Sequence, residues 1–294
     1  MTTVRDVVDR AGGLASGGMG DTLNALAVPY VPGSGTLTLK YPAVGVAPGM
    51  TLSCGLTTFY VVGTSGVSGV LQVMAAPNGG PDLAAAEGAV VRLKPRYTDW
   101  AIFQYVNDQI ALMSSSAHGL FSVVSWQDTV DPAWNTYRVP AIYQGIRDVV
   151  RVRHLVVGSP DQWTDLRKWS VQFDNDGGIT VRNFQTDIQF GTMEFVGKAP
   201  FTQATALDDD IVVDCGLAES MLDIPMLGAA SLLLASSEAQ RLQLRATGEG
   251  RRPTEVQVEG NTSLANNLAV RRDRRIGEEY ARLQQRYSFQ RGRW

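Results

Sequence analysis

The hydrophobic period of this chain switches repeatedly between the two-residue repeat of strands and the 3.6-residue repeat of helices, and this limits its folds more than any other feature. Over residues 35–93 the segments GTLTLKY, MTLSC, TTFYVVGTSG, SGVLQVMA and GAVVRLK alternate or run apolar between Gly, Pro and Asn turns, which predicts an antiparallel β unit of about five strands. TDWAIFQYVNDQIALM then places Ile102, Phe103, Val106, Ile110 and Met113 on one helical face, with Thr98 or Asp99 as N-cap. Residues 120–206 return to strand patterns. Within them WSVQF and ITVRNF flank DNDGG, a hairpin signal because Asn, Asp and Gly tolerate the positive φ of tight turns. A helix is expected from Asp223, its N-cap, to Ala246, with Pro225 in the first turn where a missing N–H costs nothing. A second is expected from Thr262 to Tyr287, with Glu278 and Glu279 preceding Arg282 in the favourable acid-first order. A short helix from Thr3 to Arg10, closed by Gly12 and Gly13 and followed by a glycine linker, opens the chain.

The expected fold class is therefore α+β, a small helical bundle with two antiparallel β units, one N-terminal and one inserted. The divisions are 1–30 for the first helix and linker, 31–97 for the first β unit, and 98–119 with 207–287 for the bundle. Residues 120–206 form the inserted β unit and 288–294 a terminal arm. A length of 294 residues is too great for one core of ordinary size.

Net charge is -3, which argues against a generally basic nucleic-acid or membrane-surface binder. The mean conceals an asymmetry: from Arg271 to Trp294 eight Arg stand against Asp273, Glu278 and Glu279, a net of +5 that leaves -8 on the preceding residues. Cys54 and Cys215 lie in no metal or CxxC spacing and read as buried thiols of a reducing compartment. No run reaches the ~18 consecutive apolar residues of a membrane span, and the start lacks a signal-peptide core, so the protein is expected to be made and kept inside a cell, away from membrane.

Signs of catalysis are few. His118 and His154 are distant from each other and from carboxylates at ligand spacing, and neither a nucleophile elbow nor a phosphate-cradling glycine loop occurs. Asp174-Asn175-Asp176-Gly177 has alternate oxygens as calcium loops do, yet Gln185 stands where the bidentate Glu is required, so a turn is the better reading. Asp208-Asp209-Asp210 reads as a solvated boundary before a strand IVVDC, since neighbouring carboxylates on an extended chain point apart. Trp126, Trp134, Trp163 and Trp169 read as core in preference to a sugar-stacking platform. No enzyme, cofactor or metal is expected.

The run DCGLAESMLDIPMLGAASLLLASSEAQRLQL, the loop GRRPTEVQVEGN and the helix SLANNLAVRRDRRIGEEYARLQQRY resemble the C-terminal half of head-tail connector (neck adaptor) proteins of tailed bacteriophages. Their I-P-x-L-G-A-A start and R-I-x-E-E-x-x-R-L close are matched at Ile224–Ala230 and Arg275–Leu283. Gly88–Arg96 and the following W-x-I-F-x-x-V-N-x-x-I helix are also similar to the front of such proteins. The resemblance implies an adaptor-like bundle and a structural virion protein, synthesised in the host cytoplasm, in a dodecameric ring at the phage neck. Its implied partners are the portal protein, further copies of itself and the next neck or tail protein, with DNA passing through unread. A tail-tube or tail-completion protein and a carbohydrate-binding tail protein are the alternatives. The arm's Phe289, Arg291, Arg293 and Trp294, with Arg282 and Arg286 before it, are the expected portal or neighbour contacts, because aromatic and guanidinium side chains are enriched in interfaces.

Overall fold

The computed structural model describes residues 2–17, 21–65, 69–77, 79–130, 135–143, 145–155, 162–174, 178–184, 190–246 and 260–287. The chain divides into two compact units. The first comprises Met1–Ile110, Gln203–Cys215 and Met221–Arg274, and the second Ala111–Thr202, Gly216–Ser220 and Arg275–Trp294.

In the first unit, helix α1 (Val4–Ser16) begins with a capping box, in which Thr3 Oγ1 accepts from Asp6 N and the Asp6 carboxylate accepts from Thr3 N at 2.9 Å. Two further N–H groups of its first turn, Val4 and Arg5, donate to the carbonyls of Asp209 and Leu207. The helix does not stop at Gly12 and Gly13 as expected but runs through them to a left-handed Gly17. Gly12 lets Ile102 approach closely: a Cβ there would lie 2.9 Å from Ile102 Cδ1, so the end of that side chain would have to shift. The apolar face of α1, Val4, Val7, Val8, Ala11 and Ala15, is buried, and the helix packs on α3 (Asp223–Ala246).

The unit's sheet has six antiparallel strands: β1 (Thr22–Ala25), β2 (Thr36–Thr38), β3 (Thr51–Cys54), β4 (Thr57–Thr64), β5 (Val70–Ala75) and β6 (Val90–Leu93), ordered β1-β6-β3-β4-β5-β2. Just past the two edge strands, Leu26 bridges Leu39, Ala27 N donates to Thr38 O and Lys40 N to Ala25 O. The sheet thus curls back on itself as a half-closed barrel around Leu26, Leu37, Leu52, Phe59, Val61 and Val91, with Tyr30 edge-on to Phe59 at 4.8 Å. Helix α2 (Asp99–Met113) follows, with the five expected apolar residues buried.

The second unit is a β-sandwich. One sheet holds β7 (Ser122–Thr129), β9 (Asp148–Leu155), β10 (Trp163–Asp165) and β13 (Thr192–Ala199) in the order β10-β9-β13-β7. The other holds β8 (Thr136–Arg138), β11 (Trp169–Phe173) and β12 (Ile179–Asn183) in the order β11-β12-β8. Trp126, Tyr137, Val149, Trp169, Val181 and Phe195, drawn from both sheets, share one core. The expected hairpin is present as β11 and β12, paired from Trp169 with Asn183 to Phe173 with Ile179, while residues 175–177 of its turn lie outside the described residues.

The expected helical bundle is overturned. Among the described residues thirteen strands in three antiparallel sheets, with four helices including α4 (Gly260–Arg286), make a mainly β architecture with one hydrophobic cluster inside each β unit. Helical spacing identifies a helix but not what covers its apolar stripe, and α1, read as a short element before a linker, packs on α3. The expected strand IVVDC is a run of turns, since Asp210 Oδ1 accepts from Val212 N and Asp214 Oδ2 from Asp210 N, closing the chain locally. Within Glu219–Ser237 mean hydropathy reaches 1.3, enough by composition to cross a bilayer, but 56% of that stretch is buried, as in a core helix.

Candidate functional site

The C-terminal segment that carries the resemblance supplies the best-built polar cluster. On α4 the spacing of Ile276, Glu279 and Leu283 puts all three on the buried face. A carboxylate there must be fully partnered, and Glu279 is: it accepts from Ser220 Oγ at 3.1 Å and Arg275 Nη2 at 3.3 Å, and Arg282 Nη1 lies 3.7 Å away. Arg275 also donates to Ser220 O at 2.7 Å and pairs with Glu278 at 2.5 Å. The guanidinium thereby ties the 3₁₀ turn at Glu219–Met221 to α4.

Of the expected contact residues, Arg282 and Arg286 fall on the last turns of α4 and are exposed. Arg286 lies over the Tyr287 ring at 5.6 Å and, with Arg151, Asp165, Trp169 and Tyr287, lines a cleft of about 100 Å³. Phe289, Arg291, Arg293 and Trp294 lie outside the described residues.

In the first unit α2, α3 and α4 meet at one glycine. Gly228 of α3 lies so close to Gln109 of α2 that a Cβ would stand 2.1 Å from Gln109 Oε1 and 2.7 Å from its Cγ. Buried Gln109 in turn accepts from Arg272 Nη1 of α4 at 3.0 Å, and Ser231 of α3 donates to Ala265 O of α4 at 2.9 Å. Gly228 is the glycine of the IPMLGAA run, so the motif residue is the one the helix crossing demands.

A second knot centres on Arg92 of β6. Its guanidinium pairs with Asp9 of α1, with Asp21 at 3.3 Å and with Asp99, at the start of α2, at 3.2 Å. Burial alone would lower the Arg92 pKa, but the three carboxylates outweigh it and hold it above its ordinary value. For Asp99 burial wins over the neighbouring guanidinium, pushing its pKa up to about 6.

The outer face of the six-stranded sheet is apolar where β4 and β5 pair. Tyr60 stands opposite Met74, and both are exposed together with Val62. The run FYVV could have signalled this, because a strand apolar on consecutive residues has two apolar faces. Arg92 and Gln109 carry no signal of their own in the sequence.

The residues considered for chemistry are dispersed or engaged. His154 Nε2 lies 2.7 Å from Phe190 O, and among the described residues no group of three or more His, Cys, Asp or Glu could hold a metal ion. Burial pushes the thiols of Cys54 and Cys215 up to about 11, which leaves them protonated and unreactive at neutral pH. Asp208 pairs with Arg5 at 3.2 Å, and Asp209 accepts from Thr205 N and Ala206 N. Asp174 accepts from Thr180 Oγ1 at 2.9 Å. Trp126 and Trp169 are buried, Trp163 lies under Arg153 at 5.0 Å, and Trp134 is outside the described residues.

No protein-family model matches the chain, and no curated protein matches it. Among solved structures it is similar to a chain from a structure described as the neck of a native GTA particle computed with C12 symmetry, at 15% identity over 57% of this chain and 81% of that one. The TM-score is 0.22, which does not establish a shared fold.

Proposed function

We propose that the chain is a structural subunit of a phage-like virion that assembles into a dodecameric ring at the neck, joining the portal to the tail around the DNA channel. The observation that carries this reading is that the residues shared with neck adaptors hold the most constrained positions of their segment. Gly228 sits at the helix crossing, while Arg275, Glu278 and Arg282 make an ion-pair network with buried Glu279 on α4. Exposed Tyr60, Val62 and Met74 offer a ring subunit an apolar surface to cover. A body carrying -8 before Arg271 suits a conduit that must release DNA, because phosphate contacts bind tightly and without sequence preference. The role is architectural, with no bond made or broken. Burial of Trp126 and Trp169 speaks against a carbohydrate platform.

Within this reading residues 288–294 dock on the portal ring. Deleting them is expected to reduce co-sedimentation with the portal protein by at least about tenfold, the loss of a few interface anchors. Equal recovery of the truncated chain sinks the docking role of the arm, and failure of the full chain to co-sediment sinks the portal partnership.

A further inference from the structure

Sheet edges present rows of unpaired N–H and C=O groups, so a long edge strand that is neither covered nor interrupted is a template for another strand. Among the described residues the second unit has two such edges. β7 is eight residues long and hydrogen-bonds to β13 on one side only. Among the described residues, the only other backbone bond from Ser122–Thr129 joins Thr129 N to the Asp128 carboxylate at 2.8 Å. β11 is the edge of the second sheet, pairs only with β12 and ends in the exposed Phe173.

The two edges are complementary. Trp126 and Val124 of β7 lie on its core-facing side, as do Trp169 and Val171 of β11. The charges decide the direction. Asp128 stands at the C-terminal end of β7, and exposed Arg167 and Lys168, which have no carboxylate partner among the described residues, stand just before β11, with Asp174 just after it. Antiparallel pairing brings the Asp128 end of β7 to the Arg167–Lys168 end of β11, whereas parallel pairing brings Asp128 to the Asp174 end. Two copies of β7 facing each other would join the subunits about a two-fold axis and stop at a dimer, while unlike edges continue from subunit to subunit and can close a ring.

We propose that β7 of one copy pairs antiparallel with β11 of the next, with Trp126 opposite Val171 and Gln127 opposite Ser170, so that strand addition links neighbouring subunits. This rests on the ring assembly proposed above and names the surface that makes it. The groups added across the contact are main-chain hydrogen bonds, attraction between Asp128 and the basic Arg167–Lys168 pair at one end, and a continued apolar layer.

The test uses two full-length single variants, Gln127→Cys and Ser170→Cys, carrying tags of different size and mixed under mild oxidation by oxidised glutathione. The expected product is a disulfide-linked pair containing one chain of each kind, with each variant alone remaining monomeric on a non-reducing gel. Absence of the mixed pair, or a Gln127→Cys dimer formed alone, overturns the proposal. Adding Asp128→Lys to the first chain is expected to lower the yield about fivefold, and adding Arg167→Asp with Lys168→Asp to the second to restore it, a rescue that misfolding cannot produce. A yield indifferent to both charge changes likewise overturns the pairing. Rings seen by electron microscopy without the mixed crosslink remove this interface and leave the ring reading standing.

Discussion

Arg92→Met is expected to destabilise the first unit by about 3 kcal/mol, and by more at pH 8 than at pH 5. Three carboxylates from α1, the segment before β1 and the start of α2 converge on one guanidinium. Asp9 is half-exposed and loses little when its partner goes, because water screens it. Asp99 is nine-tenths buried, and without Arg92 its charge has no counter-ion, which is the costly part. The pH dependence follows from Asp99. Its folded pKa is raised to about 6 from an ordinary 3.8, so the folded state binds its proton more tightly than the unfolded chain does. The stability it contributes is full below the unfolded value and is lost as pH rises through about 6. At pH 5 Asp99 is largely neutral and needs Arg92 less. Hydrogen exchange of the α2 amides reads the effect locally. Equal protection in variant and parent, or a loss larger at pH 5, contradicts the assignment.

Gly228→Val should be the more damaging of the two, with a loss of about 4 kcal/mol and a melting temperature lower by roughly 10 °C. Helix propensity alone would favour replacing a helical glycine with most other residues, so the sign of the change separates packing from propensity. A side chain at 228 must displace Gln109, whose amide oxygen is bonded to Arg272 at 3.0 Å. Moving it leaves a largely buried guanidinium without that acceptor as well as overpacking the crossing. Truncation by Gln109→Ala in the Gly228→Val background should restore part of the loss. A Gly228→Val variant that melts with the parent would show that the crossing can open freely.

Elements governed by local pattern were legible in the sequence. The helix expected from Thr98 to Met113 is found at Asp99–Met113, the one expected from Asp223 to Ala246 has those bounds, and the WSVQF hairpin pairs in register. What failed was partnership. The half-closed barrel depends on contacts between Leu26 and Leu39 just beyond two short edge strands, and three-residue β2 has too few residues for an alternating pattern to declare itself. The extension of α1 through Gly12 and Gly13 was hidden because two glycines read as a stop, whereas here the missing Cβ at Gly12 admits Ile102. The network on α4 was partly visible as the acid-first pair of Glu279 and Arg282, but Ser220, 59 residues from Glu279, could be joined to it only by the fold. The same limit applies to Arg92, an ordinary strand arginine until three distant aspartates surround it.

Electron microscopy of the purified chain, alone and mixed with a phage portal protein, tests the proposed assembly into a neck ring. The expected result is a closed ring of this chain seated coaxially on the portal with twelvefold symmetry. A chain that stays monomeric at all concentrations and never appears on the portal contradicts it, and a ring of another symmetry found only within a tail would transfer the protein to the tail tube.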